Sequence, residues 1–116
     1  MRAEFRPSQA LRLWEDVVFA LVRDSEQDLT FRQMAVLLTV YLEPPPHTVR
    51  GLAQKLGVTK PVITRALDTM GRLGLVSRRR DDVDRRNVLV QRTVAGSLAV
   101  EHLGDISVAR FRQLPP

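Results

Sequence analysis

Val49-Arg50-Gly51-Leu52-Ala53-Gln54-Lys55-Leu56-Gly57-Val58-Thr59-Lys60-Pro61-Val62-Ile63-Thr64-Arg65-Ala66 is the stretch from which the fold is read. Thr48 stands ahead of it as a helix cap, and Leu52 and Ala53 fall on the inner face of a short helix that runs to Leu56. Gly57 closes that helix and, with Val58, makes the turn. Thr59 is placed to cap a second helix, with Pro61 in its first turn, where a missing amide proton costs nothing. Ile63 and Ala66 point back toward the first helix. Ala53 is small enough to let the two helices approach closely, and glycine turns the chain where a side chain would clash. An ordinary pair of bundle helices needs neither residue at these offsets. The spacing predicts a helix-turn-helix whose second helix projects from the body.

Working outward, the apolar period stays helical upstream and changes downstream. Leu11, Trp14, Val17, Val18, Leu21 and Val22 form one stripe on a helix expected over residues 8–23, with Ser8 as its cap and the polar residues 24–28 as its end. Thr30 opens a helix of about 12 residues carrying Phe31, Met34, Ala35, Leu37, Leu38 and Tyr41. Pro44-Pro45-Pro46 ends it and reads as a stiff loop, since too little chain precedes it for a separate domain. Beyond Thr59, Val62, Ile63, Ala66, Leu67 and Met70 face inward, and the helix stops within residues 71–74. The pattern then alternates. Residues 75–78 and 88–91 read as two strands around the charged loop 81–86, and Thr93 opens a last helix containing Val94, Leu98, Leu103 and Ile106. The expected fold is mostly α with a small β-hairpin (α+β): a single winged helix-turn-helix domain. Residues 29–93 form its reading part, and helices within 8–28 and 94–112 flank it and are available for dimerisation.

A chain of 116 residues suits one core. It has no cysteine, which excludes disulfides, thiolate metal sites and thiol redox chemistry. No apolar run reaches the roughly 18 residues of a membrane span, and the N-terminus lacks a signal-peptide core. The expectation is a soluble cytoplasmic, nucleoid-associated protein with no membrane contact. The net charge is +5, and its distribution is more informative than its size. Nine basic residues and four aspartates lie between Lys60 and Arg92, so this segment holds the whole excess, while the rest of the chain is balanced. Charge concentrated in this way suits a polyanionic partner.

The candidate contacts follow from the two projecting features. Thr59, Lys60, Pro61, Thr64 and Arg65 lie at the start or on the outward face of the second helix. The planar fork of Arg65 suits the two acceptors of guanine, Thr59 and Thr64 suit phosphate or bases, and Lys60 suits phosphate. In the hairpin, Arg78-Arg79-Arg80 and Arg85-Arg86 enclose Asp81-Asp82-Val83-Asp84. Interleaved aspartates bond some guanidinium groups internally and aim others outward, toward the negative potential of a narrow minor groove. Taken singly, each of these side chains is equally a solvated surface group. Gathered just after a helix-turn-helix, they point to double-stranded DNA. His47 and His102 are far apart and lack companions at metal-ligand spacing. No nucleophile elbow or phosphate-cradling glycine loop occurs, so neither an enzyme nor a cofactor is expected. Trp14 and Tyr41 read as core or dimer-interface residues in preference to ligand-stacking platforms.

The segment 29–96 resembles the MarR family of transcription regulators. The matching pieces are Leu29-Thr30-x-x-Gln33, Leu52-Ala53-x-x-Leu56-Gly57-Val58-Thr59-Lys60-Pro61-x-x-Thr64-Arg65, Gly74-Leu75-Val76-x-Arg78, Asp81-x-x-Asp84-Arg85-Arg86-x-Val88 and Thr93-x-x-Gly96. The resemblance implies a sequence-specific repressor or activator acting as a homodimer. It also implies a recognition helix around Pro61 to Arg65, and a wing arginine in the minor groove, Arg85 or Arg86, oriented by Asp84. A small-molecule effector is a common family property, and no residue here identifies its pocket. Arg92 stands where the family commonly has leucine, and is expected to extend the basic surface. The chain ends about 20 residues after Thr93, where the family usually continues into a longer helical pair, so dimerisation falls to the two flanking helices. Two other readings remain open at this point. One is a winged-helix adaptor for another regulator or RNA polymerase. The other is an architectural DNA-binding protein with little sequence preference.

Overall fold

A computed structural model describes residues 4–24 and 27–116. The first three residues, and residues 25 and 26 of the polar stretch expected to end the first helix, lie outside the described residues. Helix α1 spans Pro7–Asp24 and α2 Phe31–Leu42. Strand β1 (His47–Thr48) leads into α3 (Val49–Leu56), and α4 (Lys60–Arg72) follows. Strands β2 (Val76–Arg80) and β3 (Val88–Arg92) form the hairpin, and α5 runs over Val94–Arg112. The chain divides into two compact units, Leu29–Val100 and the paired segments Met1–Asp28 and Glu101–Pro116.

In the larger unit, side chains and backbone agree on where α2 and α3 start. Thr30 Oγ1 accepts from Gln33 N at 3.1 Å while Gln33 Oε1 accepts from Thr30 N at 2.9 Å, a reciprocal capping box. Thr48 Oγ1 accepts from Gly51 N at 2.9 Å. Gly57 ends α3 at φ 68°, the left-handed conformation that glycine adopts without a Cβ penalty. The core forms where α2, α3, α4 and the hairpin meet. Val36, Val40, Ile63, Leu67 and Met70 are its largest fully buried side chains, with Leu37, Leu52, Ala53, Leu75, Val76 and Val90 around them. Each large aliphatic side chain so buried contributes about 1.5–3 kcal/mol.

The hairpin is part of a three-stranded antiparallel sheet in the order β1-β3-β2. β2 pairs with β3 from Val76↔Arg92 to Arg80↔Val88, as the alternating pattern predicts. The third strand was not legible in sequence. His47 pairs with Val90 and Thr48 with Leu89, and two residues after three prolines are too short to show a period. This added strand ties the start of α3 to the far side of the wing.

A polar node fastens α2 to both ends of the hairpin. Tyr41 Oη donates to Leu75 O at 2.7 Å and accepts from Thr93 N at 2.9 Å. Thr93 Oγ1 donates to Gly74 O at 2.7 Å and accepts from Gly96 N at 2.9 Å, capping α5. Gly96 is buried against this node, where a Cβ would overlap Tyr41 Oη and the Leu75 carbonyl oxygen. Tyr41 is thus a core-side anchor. Arg92 is exposed, and its guanidinium turns in the same direction. Its Nε donates to Val40 O at 2.8 Å and its Nη2 to Glu43 O at 3.0 Å, satisfying carbonyls at the end of α2 that have no helical partner.

Three further expectations change. α1 begins at Pro7, with Gln9 Oε1 accepting from Arg6 N at 2.9 Å, so Ser8 lies inside the first turn and is not the cap. The expected α1 stripe divides: Val17 is buried with Ala20, whereas Leu11, Trp14, Val18 and Val22 are exposed. Phe31, at the first position of α2, is 86% exposed and takes no part in the core.

Candidate nucleic-acid interface

Helix α4 buries Ile63, Ala66, Leu67 and Met70, a set at i, i+3, i+4 and i+7 that commits one face to the core. The opposite face is thereby turned to solvent. Lys60, Pro61, Thr64 and Arg65 are all exposed on it. Thr59 occupies the cap position with extended backbone, but its side chain makes no cap hydrogen bond. The expectation that its hydroxyl caps α4 is therefore corrected. Pro61 explains why the helix manages without it: proline presets the first turn and removes one orphan donor. The Thr59 carbonyl oxygen still accepts from Val62 N and Ile63 N at 3.1 and 3.3 Å.

The hairpin carries the second group. Arg78 Nη2 meets Asp68 Oδ1 of α4 at 2.8 Å, which binds the first wing strand to the helix before it. Arg80 Nη1 donates to Arg85 O at 3.0 Å, closing the wing loop across its neck. Arg79 and Asp82 approach to 3.6 Å. At the loop itself, Asp81 Oδ1 accepts from Val83 N at 2.9 Å, a side-chain turn that shapes the bend.

Asp84 is the most heavily engaged acid among the described residues. Its two oxygens take Arg86 Nε and Nη2, each at 3.0 Å, and Oδ1 also accepts from Arg86 N at 3.2 Å. The bidentate pair with Arg86 lowers the Asp84 pKa below its ordinary value, with smaller contributions from the backbone bond and from the charge of Arg50. Arg86 is correspondingly raised by the same pair. The sequence left open whether Arg85 or Arg86 is the wing arginine that Asp84 orients. The geometry selects Arg86, and the Arg85 side chain carries no hydrogen bond or ion pair among the described residues. The sequence-derived positions therefore fall into two sets. Lys60, Thr64, Arg65, Arg85 and Arg86 present exposed side chains, Arg86 held in place by Asp84, whereas Arg78 and Arg80 bond within the protein and shape the wing.

Arg50 was missed by sequence reading because it lies outside the basic segment. It is exposed on the first turn of α3. No cluster of His, Cys, Asp or Glu suited to a metal ion occurs among the described residues, and no helix there is long and apolar enough to cross a membrane.

A model of the MarR family matches residues 27–87, more than half of the chain and all of the geometry from α2 to the wing loop. The chain belongs to the MarR family. The chain is also 32% identical over 79 residues to the organic hydroperoxide resistance transcriptional regulator of Bacillus subtilis (strain 168). That alignment takes in 68% of this chain and 53% of the other, so the chain spans about half the length of the curated relative it matches. Among solved structures, YusO from Bacillus subtilis superposes with a TM-score of 0.75 over 91% of this chain and 72% of its own. At 17% identity that likeness is one of fold alone. The transcriptional repressor CouR, solved bound to a 23-mer DNA duplex, is 25% identical with a TM-score of 0.71, covering 91% of this chain and 72% of that one.

Proposed function

We propose that this MarR family protein is a sequence-specific transcriptional regulator that binds a duplex operator as a homodimer. Residues 29–93 do the reading and the flanking helices pair the copies. Helix α4 enters the major groove, where Arg65 reads a base edge with Thr64 beside it, and Thr59, Lys60 and Pro61 approach the backbone. The wing enters the minor groove with Arg85 or Arg86, the latter oriented by Asp84, while Arg78 and Arg80 hold the loop in shape. The observation that carries this reading is the outward face of α4: four exposed residues, one of them an unpaired arginine, opposite a face wholly committed to the core. The family match and the likeness to a repressor solved on DNA support it. A symmetric dimer would place two such helices about 34–36 Å apart, one turn of the duplex.

Selection from a random duplex library, followed by binding assays across salt concentrations, tests the proposal. An enriched, near-palindromic sequence is expected. Arg65→Ala should lose about 1–3 kcal/mol of discrimination at one base pair, and Arg85→Ala should weaken binding to selected and scrambled duplexes alike. Binding without enrichment would support the architectural reading, and no duplex binding would support the adaptor. If both variants match the parent on the selected operator, the roles assigned to Arg65 and Arg85 are wrong.

A further inference from the structure

We infer that Arg50, on the first turn of α3, is a phosphate-clamping residue that joins the helix-turn-helix and the wing into one DNA-binding surface. This inference rests on the operator-binding reading above and extends its surface by a residue that the basic segment does not contain. The placement follows from the sheet. β1 runs antiparallel to β3 with Thr48 opposite Leu89, and continuing that register carries the chain beyond Thr48 toward the base of the wing loop. Arg50 therefore lies in the first turn of α3, two residues beyond the Thr48↔Leu89 pair, and α3 packs against β3, the strand that leads out of the wing loop. In keeping with that placement, the charge of Arg50 adds a small contribution to the lowering of the Asp84 pKa.

Proximity without pairing is the informative part. Asp84 has both oxygens filled by Arg86, and no carboxylate lies within ion-pair distance of Arg50 among the described residues. Arg50 is exposed and makes no hydrogen bond through its side chain there. It is thus an un-neutralised cation next to the wing, on the helix that precedes the recognition helix. The group it suits is an anionic oxygen brought by a partner, and on a duplex that group is the backbone phosphodiester between the groove entered by α4 and the groove entered by the wing. A phosphate contact steadies register and carries no base information, so Arg50 should strengthen binding without altering what is read.

The test is fluorescence anisotropy with the full chain on the selected operator and on a scrambled duplex of equal length, over a range of salt. Arg50→Gln should weaken both complexes by the same factor and reduce the slope of log K against log salt by about 1 per protomer. Arg50→Lys should keep the slope, and the base preference should be that of the parent in both variants. If Arg50→Gln leaves affinity and slope unchanged while Arg85→Ala lowers them, the inference fails alone. If Arg50→Gln changes the base preference, Arg50 reads bases and the assignment to phosphate fails. If Arg50 acts only by steadying the wing through Asp84, Asp84→Asn will reproduce its effect and abolish any further loss in the double variant, which also overturns the inference. A parent chain that binds no duplex overturns the operator reading itself, and this residue with it.

Discussion

The Asp84 carboxylate takes three hydrogen bonds from Arg86, two from its guanidinium and one from its backbone. Because these bonds favour the ionised acid, its pKa lies below the ordinary value of 3.8. The sign of the linkage follows: a group depressed on folding contributes where it is ionised in both states, above 3.8, and the contribution is lost as pH falls through the lowered folded value. A carboxyl NMR titration should therefore find the Asp84 midpoint below 3.8, and Arg86→Gln should move it up toward that value. An unchanged midpoint in the variant would contradict the pairing. At this scale the sequence showed that aspartates and arginines alternate in the loop, and thus that some would pair. It did not show which. Arg85 and Arg86 differ by one residue, and the backbone direction at Asp84 decides between them. The bonds of Arg92 were hidden for a related reason: nothing local to it records that the open carbonyls of α2 lie within its reach.

Among the elements, α3 and α4 are each preceded by a threonine at the cap position and use it differently. Thr48 caps α3 through its side chain, whereas Thr59 at the start of α4 makes no such bond. Thr48→Ala should cost about 1 kcal/mol in a urea unfolding experiment. Thr59→Ala should stay within about 0.5 kcal/mol of the parent and should show its effect in DNA affinity instead. Comparable destabilisation by both would mean that Thr59 caps in solution. The helices were legible because their apolar residues recur at 3.6-residue spacing and their ends carry chemical signals: Thr30 with Gln33, Gly57, and Pro61. β1 carried no such signal. A two-residue strand owes its existence to the unpaired edge of β3, and that edge exists only after the hairpin has folded.

At the scale of the whole molecule, the flanking unit holds the surface left to be covered. Leu11, Trp14, Val18 and Val22 are exposed on α1, with Val108 and Phe111 exposed near the end of α5. Within that unit the rings of Phe5 and Phe111 meet at 5.4 Å, so part of its apolar surface is used internally. An exposed apolar stripe of this size on a helix suits pairing with a second copy. Sedimentation should find the parent chain as a dimer. Trp14→Asp, which places an unpaired carboxylate in the stripe, should shift it to monomer while leaving the helical circular dichroism intact. A variant that remains dimeric would move the interface elsewhere. By itself the sequence determined the helix-turn-helix, the hairpin and the outward face of α4, because each is specified by residues close in the chain and by the period that their burial imposes. The tertiary structure decided which arginines are spent inside the protein and which are left to a partner. It also set the start of α3 beside β3 through a strand pairing, since such contacts depend on segments distant in sequence meeting at atomic distance, and no local pattern records that.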